Sequence, residues 1–169
     1  MKQKDSSFAI IVCNDNILLF HRDNVHSIPH PDCWQLPGGG IEIDETSEEG
    51  IKRELLEEVS YIPKSLEYLG EIERETHRVY FYGAFVDEKE AKLFTKGEGE
   101  GQEISFFALD QLASIQLTPA LRMLFSNTIE ELKRYIKEKD LKSFFEKHKN
   151  LQLEIKPKDR YNTPHGKKA

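Results

Sequence analysis

The strongest constraint on this chain is a turn-and-helix block in its first third. Pro37-Gly38-Gly39-Gly40 must redirect the backbone, and six residues later Thr46-Ser47-Glu48-Glu49 has the spacing of a helix-starting capping box. The helix so started is predicted to reach about Ser60, and Pro63 prevents its continuation. Ile51, Leu55 and Val59 recur every four residues and give it one apolar stripe, so it must pack on something. Glu54, Glu57 and Glu58 fall at i, i+3 and i+4, on one side away from that stripe.

The charge of the whole protein is concentrated in this block. The chain of 169 residues has a formal net charge of −6, and residues 42–58 hold eight acids against Lys52 and Arg53, so the remainder is balanced. Close-packed carboxylates repel one another unless a cation neutralises them, and carboxylate oxygens suit hard ions such as Mg²⁺, with Mn²⁺ a substitute. Mg²⁺ commonly bridges carboxylates and substrate phosphates, so the pattern points to phosphate chemistry. A solvated acidic face is the common alternative for such a run. It leaves unexplained both the placement of acids in the last turn, where the helix dipole disfavours them, and the glycine turn just ahead.

Around this block the chain alternates short β-type runs with helices. Phe8–Cys13 and Ile17–Phe20 flank Asn14-Asp15-Asn16 and are predicted to form a hairpin. Residues 21–32 form a polar loop, Trp34–Leu36 a short strand, and Glu67–Arg74 and Arg78–Val86 two further strands. The 80–85 stretch is apolar on both alternating faces, which predicts a sheet covered on both sides. Lys96–Gly101 is a glycine-rich loop before a strand at Ile104–Ala108. One long helix is predicted from Pro119 to about Lys139, and another at Leu141–Phe145. The order predicts an α+β, or mixed α/β, layered domain.

Several classes are excluded. The longest apolar run, Phe8–Cys13, is far below the roughly 20 residues that span a bilayer. Two cysteines, Cys13 and Cys33, make no disulfide framework, and a reducing cytoplasm is the expected location. Overall acidity argues against a stable nucleic-acid partner, although residues 133–169 carry 12 Lys and Arg against five acids. His26, His30 and Cys33 are spaced like soft-metal ligands but lack a fourth partner.

Gly39, Glu45 six residues on, and Arg53-Glu54-Leu55-Leu56-Glu57-Glu58 resemble the signature of the Nudix hydrolase family, with Leu36-Pro37-Gly38-Gly39 as its usual lead-in. The match departs at Ser60, where the family has Gly, and at Tyr61, which takes an aliphatic position. The resemblance covers Ser6 to about Leu124 and implies an α/β/α sandwich around a mixed sheet. It divides the chain into a Nudix domain over 1–127, a helical extension over 128–150 packed on it, and a basic, loosely ordered tail over 151–169.

The resemblance also implies roles. Glu54, Glu57 and Glu58 with the Gly38 carbonyl would hold Mg²⁺. Glu100, in a loop similar to that of MutT-type members, would reach the metals or act as base, with Glu54 the other candidate base and Glu98 and Glu103 less suitable. Arg53 and Glu45 would form an orienting salt bridge, and Gly39, Trp34 and Arg78 would contact a nucleotide. The implied reaction cleaves a nucleoside diphosphate linked to another group, foremost a nucleoside triphosphate to monophosphate and pyrophosphate. ADP-ribose is less favoured, since no proline stands between Pro63 and Pro119, and Gln116–Pro119 lacks the Asn that MutT uses for oxidised guanine. A nucleotide sugar, a dinucleoside polyphosphate, and a non-catalytic nucleotide-binding module are the other readings.

Overall fold

The computed structural model describes residues 3–150; the tail assigned to 151–169 lies outside them. Strand β1 (Ser6–Cys13) is the axis of a mixed sheet, and its composition shows why. Ala9, Ile11 and Cys13 point to one face and Ile10 and Val12 to the other, and all are buried. One edge of β1 pairs along its whole length, in parallel, with β6 (Arg78–Val86). The other edge is shared between two antiparallel partners: β2 (Asn16–His21) at Val12–Cys13 and β4 (Gly38–Gly40) at Ser6–Phe8. The sheet continues through β5 (Glu67–Glu73) beyond β6, and through β3 (Trp34–Gln35) and β7 (Glu103–Ala108), both paired with β2.

Helix α1 (Ser47–Val59) covers one face, burying Ile51, Leu55 and Val59 against Ala9, Ile11, Leu18, Tyr82 and Ala84. The opposite face is covered by α3 (Pro119–Phe125), α4 (Ile129–Lys137) and α5 (Leu141–His148), which bury Leu121, Leu124, Leu132, Ile136, Phe144 and Phe145 over Ile10, Val12, Leu69 and Phe81. A short helix α2 (Glu88–Ala91) and a 3-10 turn (Leu109–Ser114) complete the order. The layering is the sandwich expected of a sequence with doubly apolar central strands.

Two sequence expectations are corrected. The glycine run, expected as a turn alone, pairs as β4 with Ser6–Phe8, because a free half-edge of β1 lies beside it. The single helix over Pro119–Lys139 is broken at Ser126–Thr128 into α3 and α4. Ser, Asn and Thr compete for backbone hydrogen bonds, and the buried Thr128 hydroxyl donates to the Leu124 carbonyl at the break. Cys13 and Cys33 are buried free thiols. Among the described residues no helix is long and apolar enough to cross a membrane.

Candidate active site

The site is assembled where β4 and the start of β1 meet the carboxylate side of α1. Gly38 adopts φ +138°, and a Cβ there would stand 2.1 Å from the Ser7 carbonyl, so only glycine lets β4 run this close to β1. The close approach aims the Gly38 amide at α1, where it donates to Glu58 Oε2 at 2.8 Å. At Gly39 a Cβ would lie 2.7 Å from a Glu54 carboxylate oxygen, so this position too leaves room for an acid.

Helix α1 is fixed in rotation by its apolar stripe and in position by its first turn. Thr46 accepts from the Glu49 amide at 3.2 Å, and Glu49 accepts from the Thr46 amide at 2.8 Å, a reciprocal capping box. Its last turn contains no basic residue, and Ser60 ends it in the left-handed conformation at φ 57°. The terminal carbonyls of Glu58 and Val59 instead accept from the amides of Gly97 and Thr95, which brings the 95–101 loop against the helix end.

Arg53 is the hub of the polar network. Its Nε and Nη2 form a two-pronged bond to Glu45 at 2.7 and 3.0 Å, and Nη2 also donates to the Gly40 carbonyl at 2.8 Å. Nη1 reaches Glu54 at 2.9 Å and Glu57 at 3.1 Å. The Arg53 bond and the Glu42 amide hold the Glu45 carboxyl down at about 2.

The acids behave differently. Burial pushes Glu58 well above the usual carboxylate range; the Gly38 amide opposes this, while the charges of Glu54 and Glu100 add to it. Glu54 is also raised by burial, with Arg53 opposing and Glu57 and Glu100 adding to the rise. Glu100 is exposed on its loop but lies near enough to act electrostatically on both.

Among the described residues no three His, Cys, Asp or Glu side chains converge closely enough to hold a metal ion as they stand. Glu54 and Glu57 are drawn onto Arg53, which lowers their mutual repulsion. The donor set nonetheless fits a hard divalent cation. It is all oxygen, and Glu58 is a buried carboxylate that, among the described residues, accepts from a neutral backbone amide, in need of positive charge.

On the sheet face opposite α1 is a cavity of about 360 Å³. Phe8, Leu36, Val79, Phe81 and Leu121 form apolar walls, and Arg22 and Gln35 supply polar atoms. Arg22, at the end of β2, is held by the Gln35 side chain at 3.0 Å and the carbonyls of Pro29 and His30 at 2.6 and 3.1 Å. Arg22 thus lines the cavity while its charge acts on Glu58. Arg22 and the cavity walls were missed in the sequence because they come from β1, β2, β6 and α3. The available signal was a lone arginine following an apolar strand.

Two residues expected at the substrate, Trp34 and Arg78, do not line this cavity. Trp34 is buried, with the His21 ring stacked on it at 4.5 Å and the edge-on Phe107 ring at 4.7 Å, so it serves the core rather than the cavity. Arg78 is exposed and paired with Glu73 at 3.4 Å, also outside the cavity. In that part of the sheet the strand alternation turns Val79 and Phe81 inward instead.

Comparison with known proteins places this geometry. The chain is 44% identical over 62 residues to an ADP-ribose pyrophosphatase of Methanocaldococcus jannaschii, a match covering 37% of this chain and 35% of that protein. An RNA pyrophosphohydrolase of Psychromonas ingrahamii is 42% identical over 63 residues, covering 36% and 32%. The chain thus matches about a third of the length of these curated relatives. The NUDIX domain of Shewanella oneidensis NrtR, solved with ADP ribose, superposes with a TM-score of 0.62 at 20% identity, covering 78% of this chain and 90% of that one. The NUDIX domain model matches residues 3–127, which take in the capped acidic helix, its glycine lead-in and the sheet that holds them, and the chain therefore belongs to the NUDIX family.

Proposed function

We propose that this protein is a metal-dependent pyrophosphohydrolase that cleaves a nucleoside triphosphate to a monophosphate and pyrophosphate. The observation that carries the reading is the all-oxygen set of Glu54, Glu57 and Glu58 on α1, one of them buried, together with an apolar cavity on the opposite sheet face whose lining residue Arg22 acts electrostatically on Glu58. The pyrophosphatase and pyrophosphohydrolase names of the curated relatives support the reaction class.

Glu54, Glu57, Glu58 and Glu100, with the Gly38 carbonyl, are the residues that would hold Mg²⁺ or Mn²⁺. Such ions, when bound, neutralise phosphate charge and make a bound water more acidic. Glu54 or Glu100 takes the proton from the attacking water; burial keeps Glu54 a better base than an exposed carboxylate. Arg53, tied to Glu45 and the Gly40 carbonyl, keeps the α1 acids aimed at β4. Arg22 offers a positive charge to the nucleotide on the cavity side, and Phe8, Leu36 and Phe81 exclude water from the nucleoside. Gly39 leaves the approach to Glu54 open. Residues 3–127 form the catalytic unit in this reading, with α4 and α5 as an extension on its far face.

The test is a panel of nucleotides with Mg²⁺ or Mn²⁺, scored for pyrophosphate against orthophosphate. Monophosphate and pyrophosphate from triphosphates is the expected result. Turnover of ADP-ribose, nucleotide sugars or dinucleoside polyphosphates alone would move the substrate class. Silence across the panel would favour a nucleotide-binding module.

A further inference from the structure

The loop that carries Glu100 is joined, through Gln102, to the loop that supplies Arg22, Pro29 and His30 to the cavity. Gln102 donates its backbone amide to the His21 carbonyl at 2.9 Å. Its side-chain amide donates to the Arg22 carbonyl at 2.7 Å and to Asp32 Oδ1 at 2.9 Å. Asp32 Oδ1 also lies 3.0 Å from His21 Nε2, and since a carboxylate can only accept, the imidazole donates. His21 is in turn seated on Trp34.

Asp32 is therefore the acceptor on which two elements converge. It stands at the end of the 22–33 loop, in the left-handed conformation at φ 58°, and its amide donates to the Asp23 carbonyl at 3.1 Å. The same loop supplies Pro29, His30 and Arg22 to the cavity, and Arg22 grips the Pro29 and His30 carbonyls. On the other side of Gln102, Lys96 Nζ donates to the Glu100 carbonyl at 3.1 Å. Glu100 is thus suspended between a lysine contact and the Gln102 contact, on an otherwise exposed glycine-flanked segment.

We propose that Gln102, anchored on Asp32, is a positioning residue that holds Glu100 beside the α1 carboxylates and ties its placement to closure of the 22–33 cavity loop. The inference rests on the reading of Glu100 as a base or metal ligand. An exposed loop otherwise samples many conformations, so Gln102, donating one bond from its backbone amide and two from its side chain, is what gives the carboxylate a defined place.

Steady-state kinetics of the full chain with ATP and dGTP, with Mg²⁺, test it. Gln102→Ala and Asp32→Ala should each lower kcat by about 10–100-fold, with little change in KM. Added to Glu100→Gln, Gln102→Ala should cost nothing further, since its effect acts through Glu100. Asp32→Asn keeps an acceptor oxygen and tolerates the left-handed backbone, and should restore most of the rate. Amide hydrogen exchange supplies a readout apart from activity: Asp32→Ala should speed exchange in residues 98–102 as well as in 22–33. Additive losses with Glu100→Gln, or exchange changes confined to residues 22–33, would overturn the positioning role while leaving Glu100 in place. A Glu100→Gln variant with undiminished kcat would overturn the reading of Glu100 itself, and the proposal with it.

Discussion

The two ends of α1 are built on opposite electrostatic logic. At the N-terminal end every charge agrees with the helix: Thr46 and Glu49 cap reciprocally, Glu48 and Glu49 sit in the first turn where the dipole favours anions, and Glu45 is held by Arg53. At the C-terminal end the dipole and burial work against the acids, and the reach of Arg53 to Glu57 eases them. Glu57 and Glu58 face the negative end of the dipole without a basic residue in the last turn, Glu58 is buried, and Ser60 takes a backbone conformation that glycine adopts more easily. One end secures the helix so that the other can hold like charges together. The difference teaches that the destabilising end is where chemistry is concentrated.

Breaking the C-terminal end should have the largest effect. Glu57→Gln and Glu58→Gln should each lower turnover by about 10²–10³-fold while circular dichroism stays native. Retention of most activity in both would sink the site assignment. The same Glu58→Gln change should raise the thermal midpoint, because a neutral amide oxygen still accepts from Gly38 without a buried charge.

Glu45→Gln tests the link between the ends. It removes the ionic half of the Arg53 fork, so turnover should fall by about 10–100-fold, less than for the α1 acids. Stability should shift with a defined sign. The Glu45 carboxyl is held at about 2 against 4.5 unperturbed, so its contribution is present above about pH 4.5 and lost as the pH falls toward 2. Acid unfolding followed by fluorescence should therefore show a steeper loss of stability across pH 4.5–2 in the wild type and a shallower one in the variant.

Smaller effects come from the helix ends as backbone. Thr46→Ala removes the capping oxygen and should cost about 1 kcal/mol in urea unfolding while leaving kcat per folded molecule near wild type. Ser60→Gly should stabilise by about 0.5–1 kcal/mol, since a non-glycine left-handed residue carries a steric cost. An unchanged midpoint would mean that tertiary contacts hold Ser60 in that conformation at no cost.

Much of this was legible in one dimension because it depends on near neighbours. The capping box, the apolar stripe and the i, i+3, i+4 carboxylates follow from helix periodicity, and α1 runs as expected from Thr46 to Ser60. The strands other than β4 were legible as short β-type runs, with β6 marked by its doubly apolar alternation. What escaped involves distant partners. Trp34 looked available to a base, yet His21 and Phe107 cover it; Arg78 looked close to phosphate, yet Glu73 holds it at the edge. Arg22 showed only as a lone arginine after an apolar strand, because its electrostatic reach to Glu58 depends on strand pairing rather than spacing.

The sequence by itself determined that a glycine run precedes a capped, acidic, one-sided helix, since capping and periodicity act over three or four residues. Only the tertiary structure decided what those carboxylates face. The parallel pairing of β1 with β6 and the shared β1 edge bring Gly38 to Glu58, and amides some forty residues away, at Thr95 and Gly97, close the far end of α1. Those contacts join segments whose spacing in the chain carries no periodic signal, and buried backbone donors and acceptors must find partners wherever packing provides them.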